Sequence, residues 1–498
     1  MKVLMVNSNR YRLPIPPMPF GLCCVSAAIE KAGHEVHVLD LCFSKNCSRD
    51  IARAIHQFQP DIIGVSVRNI DTGAIHNTLF LLEQVRAEVI DPIKRMFYGP
   101  IIIGGPAVGI SGAEMLHYFD LEFAIRGDGE LAIVEFVNRI EKRFPLKGLG
   151  GLIWRKGGLI VEDNPPLRVT DLDSLPSAKH CRYLNIDMYR RFKAPIQVQT
   201  KRGCALKCSY CTYNIIEGHK VRLRDPQLVA DEIEMIVKET GINNIEITDS
   251  TFNIPLEHAK SVLRAIAAKK LDVSLQTMGL NPGAIDRELA ELLKKVNFKE
   301  IQVGMDSGSN NTLRNLRKNF TKEMLLEAAR VLHDAGLTIL WFILVGAPGE
   351  TEETLKETFE TVRQAAYRWD LVAIGSGIRL YNGAPLAKLT RRVNPACTND
   401  NFLHPVAFPP KSLSLETLRI IGKKTALKYP NYLLFDDVQR IPFFLVRVQN
   451  MLMKIFAPQK PWWKSYIFVN TLQKISGINA IKLLMLNLKT RDLLLSTR

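Results

Sequence analysis

The sequence of 498 residues lacks the features that mark secreted, membrane-spanning and repetitive proteins. No run reaches the roughly 18 uncharged apolar residues that cross a bilayer, and no short-period repeat or low-complexity tract is present. The amino terminus enters a strand pattern that ends at Asn7, so we expect no signal peptide. Cysteine is scarce, with nine residues, which favours reduced thiols and metal binding over disulfides. These absences predict a cytoplasmic protein.

Acidic residues are also in deficit, since 50 Asp and Glu face 66 Lys and Arg and the formal net charge is +16. Such an excess suits nucleic acid, an anionic membrane surface or an acidic substrate. Residues 441–498 hold nine basic residues and one acid, mixed with Trp462, Trp463 and other large apolar side chains. This mixture predicts contact with the cytoplasmic face of an anionic membrane. The alternative is a helical domain that buries the aromatic residues. No nucleic-acid module is recognised, so no nucleic acid is expected.

Three of the cysteines are clustered. Cys204, Cys208 and Cys211 are spaced to hold one iron–sulfur cluster and to leave its fourth iron without a protein ligand. A structural zinc site needs a fourth Cys or His, and His219, eight residues on, fits poorly. A zinc knuckle or three buried cysteines are the alternatives. The remaining cysteines have no ligand spacing as a set and are predicted to be mostly buried thiols, with Cys397 as a candidate hydrogen donor or spare ligand.

Residues 1–145 alternate apolar runs with amphipathic stretches, which predicts a doubly wound, Rossmann-like parallel sheet. The predicted strands are Val3–Asn7, Glu35–Asp40, Asp61–Ser66, Pro100–Gly104 and Leu121–Ile125, and the predicted helices include Leu22–Ala32, Thr72–Val89 and Gly129–Lys142. Such sheets bind ligands at the carboxyl ends of their strands. The residues predicted to bind a ligand there are Asn7, Ser66, Asn69, Gly104 and Gly105.

The rest of the chain divides into three regions. Residues 146–194 predict a connector that contains a hairpin with glycine turns. Residues 195–390 repeat a strand and a helix six times. The predicted strands are Ile196–Thr200, Asn244–Thr248, Asp272–Gln276, Glu300–Gly304, Leu337–Leu344 and Leu371–Ile374. Residues 391–498 begin with a proline-rich stretch and continue as a mostly helical pattern without an assignable motif.

The C-x3-C-x2-C pattern, with Tyr210 before its last cysteine, resembles that of the radical S-adenosylmethionine (SAM) enzymes. The resemblance implies that the strand–helix units form a partial (β/α)6 barrel, with chemistry at the carboxyl ends of the strands. It also implies a [4Fe-4S] cluster whose open iron binds SAM. One electron, from a donor such as a flavodoxin or ferredoxin, cleaves SAM to a 5′-deoxyadenosyl radical. Tyr210 is expected to shield the cluster from water, or else to be simple core packing.

Several strand ends resemble the SAM-binding segments of this family. Asp249 is expected to accept from the SAM ammonium, although a helix cap is the alternative. Val303–Ser309 resembles the G-x-E-S-G segment, with Asp306 in place of Glu. Val345–Thr351 resembles the G-x-P-G-E-T turn, and the alternative is a plain strand-to-helix turn in which Thr351 caps the helix. The further residues assigned to SAM on this basis are Asp306, Ser307, Lys318, Gly346, Pro348 and Gly349. Gln276 ends the third strand and is expected to face the ribose or the methionine part of SAM, with a plain polar strand end as the alternative.

Two arginine-containing segments flank the predicted site. Arg202, which precedes the cysteines, is expected either to interact with cluster charge or to be exposed. Arg379–Pro385 resembles the R-x-Y-P-G-T-P segment of the family. Asn382 replaces Pro and Ala384 replaces Thr, so we expect these two departures to reshape the substrate face.

The amino-terminal region resembles the cobalamin-binding domain that precedes many radical SAM domains. The resemblance rests on Pro17–Leu22, Ala32–Val36, Ile102–Pro106 and Ile125–Glu130. The D-x-H-x-x-G motif, which supplies a histidine to cobalt in related proteins, is absent. His34 and His37 do not fit it and are expected to be surface or satisfied core residues. The resemblance therefore implies cobalamin without a protein histidine ligand, or a domain that has lost the cofactor.

Together the resemblances imply a radical SAM enzyme that methylates an unactivated carbon with cobalamin as a further cofactor. The expected substrate is a lipid or another hydrophobic small molecule. Radical rearrangement, cyclisation or desaturation without methyl transfer is the alternative. Methylthiolation of transfer RNA is weaker, because Cys23, Cys24, Cys42 and Cys47 lack the expected separation. A cobalamin sensor is the alternative that is not an enzyme, and the intact cysteine set argues against it.

Overall fold

The computed structural model describes residues 1–13, 15–393 and 402–438, together with Trp463, Lys464, Tyr466, Ile467 and Thr471. Two sheets of seven strands each, with helices packed against them, dominate this part of the chain. None of the helices within it combines the length and the apolar character needed to span a bilayer. The predicted α/β class, with two successive parallel sheets, is confirmed.

The first sheet has the spatial order β2-β1-β3-β4-β5-β6-β7. Its strands are β1 Lys2–Asn7, β2 Glu35–Asp40, β3 Ile62–Ser66, β4 Ile101–Gly104, β5 Phe123–Ile125, β6 Leu152–Lys156 and β7 Leu159–Asp163. The first five strands are parallel and almost continuously apolar at the centre, as strands covered on both faces must be. The predicted hairpin is β6–β7, and it joins this sheet by antiparallel pairing with β5.

Helices cover both faces of the first sheet. They are α1 Phe20–Lys31, α2 Cys47–Phe58, α3 Leu81–Val85, α4 Asp91–Met96, α5 Pro106–Phe119 and α6 Gly129–Lys142, and a π-helical turn, Arg86–Ile90, joins α3 to α4. The predicted helix Thr72–Val89 is wrong over its first half. Asp71, the residue directly before that segment, pairs with Phe80 in an isolated antiparallel bridge, and Gly73 and Asn77 have φ angles of 71° and 84°. These left-handed residues turn the chain back before a helix begins.

The second sheet has the order β16-β15-β14-β13-β12-β11-β8. Its strands are β8 Ile196–Val198, β11 Asn244–Ile247, β12 Ser274–Thr277, β13 Phe298–Asp306, β14 Ile339–Val345, β15 Leu371–Ser376 and β16 Tyr432–Leu434, and a separate ribbon pairs β9 Lys201–Arg202 with β10 Arg222–Leu223. All neighbours in this sheet are parallel. The six predicted strands are present, and β16 adds a seventh.

The helices of the second half connect these strands. They are α7 His180–Tyr183, α8 Ile186–Arg191, α9 Tyr213–Ile216, α10 Pro226–Thr240, α11 Leu256–Ala268, α12 Arg287–Lys295, α13 Asn310–Asn315, α14 Lys322–Asp334, α15 Glu352–Ala365, α16 Pro385–Val393, α17 Leu415–Lys428 and α18 Phe435–Val438, with a 3-10 turn at Pro282–Ala284. Thr351 caps α15 as predicted, since its hydroxyl accepts from the Thr354 amide at 3.4 Å.

The two faces of the second sheet differ. Ile196, Val198, Ile245, Ile247 and their counterparts along β12–β15 pack against the helices in one core cluster. The alternate positions face the concave side. On β14–β16 these are Leu340, Leu371, Ala373 and Leu433, which pack with Trp463 and Ile467. Trp463 and Ile467 therefore cover the apolar part of the concave face, while Gln197, Glu246 and Gln276 form its polar part.

Candidate active site

A cavity of about 580 Å³ lies where the carboxyl edge of the first sheet meets the second sheet. All five residues predicted at the strand ends line it: Asn7, Ser66, Asn69, Gly104 and Gly105. The second sheet contributes Gln197, Gln199 and Thr248. Gln197 and Gln199 were not among the predicted site residues, although the alternation of Gln with Ile and Val in and after β8 is a sequence signal for side chains that face a cavity. The chain thus brings both halves to one cleft.

Glycine backbone forms part of the cavity wall. Gly105 has a φ of 103°, and a Cβ there would lie 2.6 Å from the Val67 carbonyl oxygen. Only glycine fits at this position. At Gly104 the nearest atom to an added Cβ is the Ile125 carbonyl oxygen at 3.8 Å, so the wall is open on that side. A broad, flat ligand is able to lie directly against this backbone, which fits the corrin ring of cobalamin.

The polar groups around the cavity do not include a cobalt-binding histidine. No histidine is found among the described residues that line it. His34 is satisfied elsewhere, through the amino terminus at 3.2 Å and Asn138 at 3.0 Å, as predicted. Arg68 and Tyr213 also line the cavity, and neither was among the predicted site residues. Burial lowers the pKa of Arg68 and raises the pKa of Tyr213 to about 12.

The cysteine loop follows β8 and adjoins this cavity, because Thr212 and Tyr213 line it directly after Cys211. Cys204, Cys208 and Cys211 are free thiols, and the first two are 8% exposed. Burial raises the pKa of Cys211 to about 12, and the other two thiols raise it further. No three such side chains converge on a single ion position among the described residues. Each thiolate of a cluster binds a different iron, so the separated, mutually interacting thiols fit a cluster.

Next to the cysteine loop lies a group of three side chains, the buried Asp306 and the half-buried Tyr210 and Lys318. The Tyr210 hydroxyl donates to Asp306 at 2.7 Å, and Lys318 forms an ion pair with the same carboxylate. Asp306 has a φ of 57°, a left-handed conformation that Asp tolerates better than most residues. Burial raises the pKa of Cys208, and the nearby Lys318 ammonium offsets part of this rise. Lys318 therefore provides the positive charge that a thiolate at Cys208 needs.

Asp249 anchors the start of the cysteine loop. Its fully buried carboxylate accepts from the Thr200 amide at 2.8 Å, the Thr200 hydroxyl at 2.5 Å and the Lys201 amide at 3.3 Å. Burial raises the pKa of Asp249, and the nearby Lys201 lowers it in opposition. It is not the cap of α11, whose N-cap residue is Pro255. The SAM-ammonium contact stays a prediction, because these three donors already occupy the carboxylate.

We expect Asp249→Ala to lower the free energy of unfolding by about 3 kcal/mol, because it leaves buried donors without an acceptor. Asp249→Asn keeps one acceptor oxygen and should lose less. Urea denaturation of the wild type and the two variants measures both changes in the free energy of unfolding. A direct SAM contact instead predicts that Asp249→Asn loses SAM affinity at wild-type stability. Wild-type unfolding of Asp249→Ala would refute the anchoring role.

Two further predicted SAM residues are engaged within the protein. Gln276 donates to Glu246 at 3.2 Å on the concave face, and Gln197 donates to the same carboxylate at 2.8 Å. The Ser307 hydroxyl is fully buried 2.8 Å from the Thr358 hydroxyl, which ties β13 to α15. Gln276 therefore lies near the cavity, whereas Ser307 lies behind the sheet edge. Both assignments stay predictions.

The G-x-P-G-E-T turn follows β14. Gly346 and Gly349 have φ angles of 99° and 72°, and the Pro348 carbonyl accepts from Asn315 at 2.8 Å. Glu350 folds back beneath the turn, where one carboxylate oxygen accepts from the Gly346 amide and the other has no partner. Glu350 is 2% exposed, and burial raises its pKa to about 7. The turn thus contains a carboxyl group whose pKa burial raises toward neutral pH.

This shift makes stability depend on pH. The folded pKa of Glu350 lies above the unfolded value, so its protonated form stabilises the fold. We expect that contribution to be complete below about pH 4.5 and to disappear as the pH rises through about 7, a loss of about 3 kcal/mol. Unfolding free energies across this range test it. Glu350→Gln should remove this part of the pH dependence, and an unchanged pH profile in that variant would contradict the assignment.

Arg202 and Asn382 both bind side chains of the first domain. Arg202 is not exposed, as one of its two predicted environments required, because it forms a bidentate ion pair with Glu130 at 3.1 and 2.5 Å. Asn382 donates to Ser111 at 3.1 Å and Glu114 at 3.0 Å of the first sheet's α5. Both residues therefore join the two halves of the protein. The effect of Asn382 on the substrate face stays a prediction. Among the other cysteines, Cys23, Cys24, Cys42 and Cys47 are buried as predicted, Cys181 is exposed, and Cys397 lies outside the described residues.

Comparison with known proteins agrees with this geometry. The model of the Radical SAM superfamily matches residues 198–362, and that of the B12 binding domain matches residues 15–137. An uncharacterized methyltransferase of Pyrococcus horikoshii is 24% identical over 446 residues, 88% of this chain and 94% of that protein. Tryptophan 2-C-methyltransferase of Streptomyces laurentii is 25% identical over 449 residues, 78% of this chain and 74% of that protein.

A solved structure is similar over most of the chain. It is the radical S-adenosylmethionine methyltransferase TsrM from Kitasatospora setae with cobalamin and a [4Fe-4S] cluster bound. The TM-score is 0.70 at 25% sequence identity, covering 78% of this chain and 75% of that chain.

Proposed function

Because this chain belongs to the radical SAM enzymes that carry a B12-binding domain, we propose that it catalyses the cobalamin-dependent methylation of an unactivated carbon. The cofactors are a [4Fe-4S] cluster, SAM and cobalamin. The cluster would supply the electron that cleaves SAM, and cobalamin would carry the methyl group. The substrate is proposed to be a lipid or another hydrophobic small molecule.

One observation supports this proposal above the others. The cavity is shared between the glycine-lined edge of the first sheet and the residues that directly follow Cys211. A corrin that lies against Gly104 and Gly105 therefore faces the same space as SAM held at the cysteine loop. Methyl transfer needs both cofactors to reach one substrate, and a single cavity between two sheets meets that requirement.

Side chains of the protein bind the cluster and limit the access of water to the cavity. Cys204, Cys208 and Cys211 hold the cluster, and Lys318 keeps a positive charge beside Cys208. Tyr210 covers the loop and is fixed by its hydrogen bond to Asp306, which limits the access of water. Because none of the described residues that line the cavity is a histidine, cobalamin bound here is proposed to lack a histidine ligand from the protein.

Anaerobic reconstitution with iron, sulfide, cobalamin and SAM tests the reaction. We expect 5′-deoxyadenosine and S-adenosylhomocysteine together, with candidate lipids and metabolites gaining one methyl group by mass spectrometry. Formation of 5′-deoxyadenosine alone, with a product that gains no carbon, would favour rearrangement or cyclisation instead. Electron paramagnetic resonance of the cobalamin-loaded protein tests the absent histidine, because a nitrogen ligand adds a characteristic splitting.

Two partners complete the proposal. The first is a flavodoxin or ferredoxin that reduces the cluster, tested by replacing chemical reductant with either protein. The second is an anionic membrane surface contacted by residues 441–498, most of which lie outside the described residues. Trp463 is fully buried against the second sheet, so it is not available to lipid. For that reason the membrane test uses Lys482→Gln, Lys489→Gln and Arg491→Gln together rather than a truncation. Unchanged sedimentation with anionic vesicles would remove this partner.

A further inference from the structure

Two acidic residues of the first domain, separated by one glycine, meet two arginines of the second domain that face each other across a two-stranded ribbon. Glu130 and Asp128 lie at the amino terminus of α6, where the helix dipole favours negative charge. Arg202 donates two hydrogen bonds to Glu130, and Arg222 donates one to Asp128. The Glu130 and Arg202 side chains are 4% and 12% exposed. This contact is therefore a buried, bidentate ion pair across the domain boundary.

The two arginines depend on these acids. Arg202 on β9 and Arg222 on β10 are direct cross-strand partners in the two-stranded ribbon. Like charges placed directly opposite each other destabilise a sheet. Glu130 and Asp128 neutralise both, and Asp128 additionally accepts from the Val169 amide at 2.8 Å. These ion pairs consequently hold the ribbon against the start of α6.

The same ribbon leads directly into the cysteine loop. Gly203 follows Arg202, and its amide donates to Glu217 at 3.0 Å, while the Cys204 amide donates to the Gly218 carbonyl at 3.1 Å. A Cβ at Gly203 would lie 2.2 Å from the Lys220 carbonyl oxygen. The backbone from Arg202 to Cys204 therefore has no free space in which to shift independently.

Asp128, Glu130 and Arg202 also line the cavity between the sheets. We propose that Glu130 is a positioning residue, which through Arg202 sets the placement of the cysteine loop relative to the cavity. This inference rests on the proposed function for its catalytic consequence, although the contact itself does not. On this proposal, Asp128, Gly129 and Glu130 connect the first domain to the cysteine loop of the second domain, in addition to any contact with cobalamin.

The test compares Glu130→Gln with Glu232→Gln. Glu232 is buried and forms an ion pair with the half-buried Arg224 at 2.5 Å, but both residues belong to the second domain. A positioning role predicts that Glu130→Gln lowers the ratio of methyl groups transferred to SAM molecules cleaved by about a hundredfold, the scale of a misplacement of about 1 Å. Glu232→Gln should keep the wild-type ratio. Equal ratios in both variants would overturn the proposal.

A second measurement needs no cofactor. Hydrogen–deuterium exchange of the peptide that covers residues 201–211 should speed up in Glu130→Gln and not in Glu232→Gln. Arg202→Lys, which removes the bidentate contact and keeps the charge, should reproduce the faster exchange if Glu130→Gln fails to fold. Unchanged exchange in Arg202→Lys overturns the proposal. If the wild-type protein transfers no methyl group, the proposed function is wrong, and the exchange experiment still decides the positioning role.

Discussion

Replacing Cys208 with Ala is expected to abolish the cleavage of SAM. The structure contains three thiols at this site, so each variant removes a third of the cluster's protein ligands. Cys208 is also the thiol whose pKa the Lys318 ammonium lowers against the raising effect of burial. We expect the purified variant to retain little iron and sulfide and to form no detectable 5′-deoxyadenosine.

Cys181→Ala is the matched control, because Cys181 is an exposed thiol outside the loop. It should bind iron and cleave SAM as the wild type does. The same loss is expected for Cys204→Ala and Cys211→Ala. A Cys208→Ala protein with full iron content and wild-type formation of 5′-deoxyadenosine would show that the loop does not hold the cluster.

Lys318→Met is expected to destabilise the protein by about 3–5 kcal/mol, because it leaves the Asp306 carboxylate buried and unpaired. Lys318 and Asp306 side chains are 7% and 5% exposed, so water cannot replace the ammonium. The double variant Lys318→Met with Asp306→Asn should recover most of this loss, since neither partner then carries an uncompensated charge. Chemical denaturation of the two proteins measures the difference.

The same pair predicts opposite changes in the reduction potential of the cluster. Lys318 lowers the pKa of Cys208 and Asp306 raises it, both acting against a background of burial, which raises it most. Removing the positive charge should therefore lower the cluster potential, and Asp306→Asn should raise it. Redox titration followed by electron paramagnetic resonance measures both. Shifts of the same sign in the two variants would contradict electrostatic tuning by this pair.

The contrast between Thr351 and Arg202 shows how far local patterns reach. Thr351 caps α15 through a residue three positions away, and local spacing predicted it. Arg202 pairs with Glu130, 72 residues earlier in the chain, and no local pattern identified that partner. The helix predicted from Thr72 likewise misses a distant contact, because the carboxylate of Asp71, the residue directly before it, accepts from Arg379 at 2.8 Å. That long-range ion pair, together with the left-handed Gly73, overrides the helical periodicity of the segment.

The sequence by itself determined the order of strands and helices, the spacing of Cys204, Cys208 and Cys211, and the strand-end residues that line the cavity. These features follow from periodicity and spacing along the backbone, because a strand alternates its side chains and parallel strands bring their carboxyl ends to one edge. Only the tertiary structure decided which acid each arginine meets, that Lys318 faces Cys208, and that Trp463 covers the concave face of the second sheet. Those contacts depend on how the two sheets pack, because a buried charge or ring takes the partner that packing brings within reach, however distant in sequence.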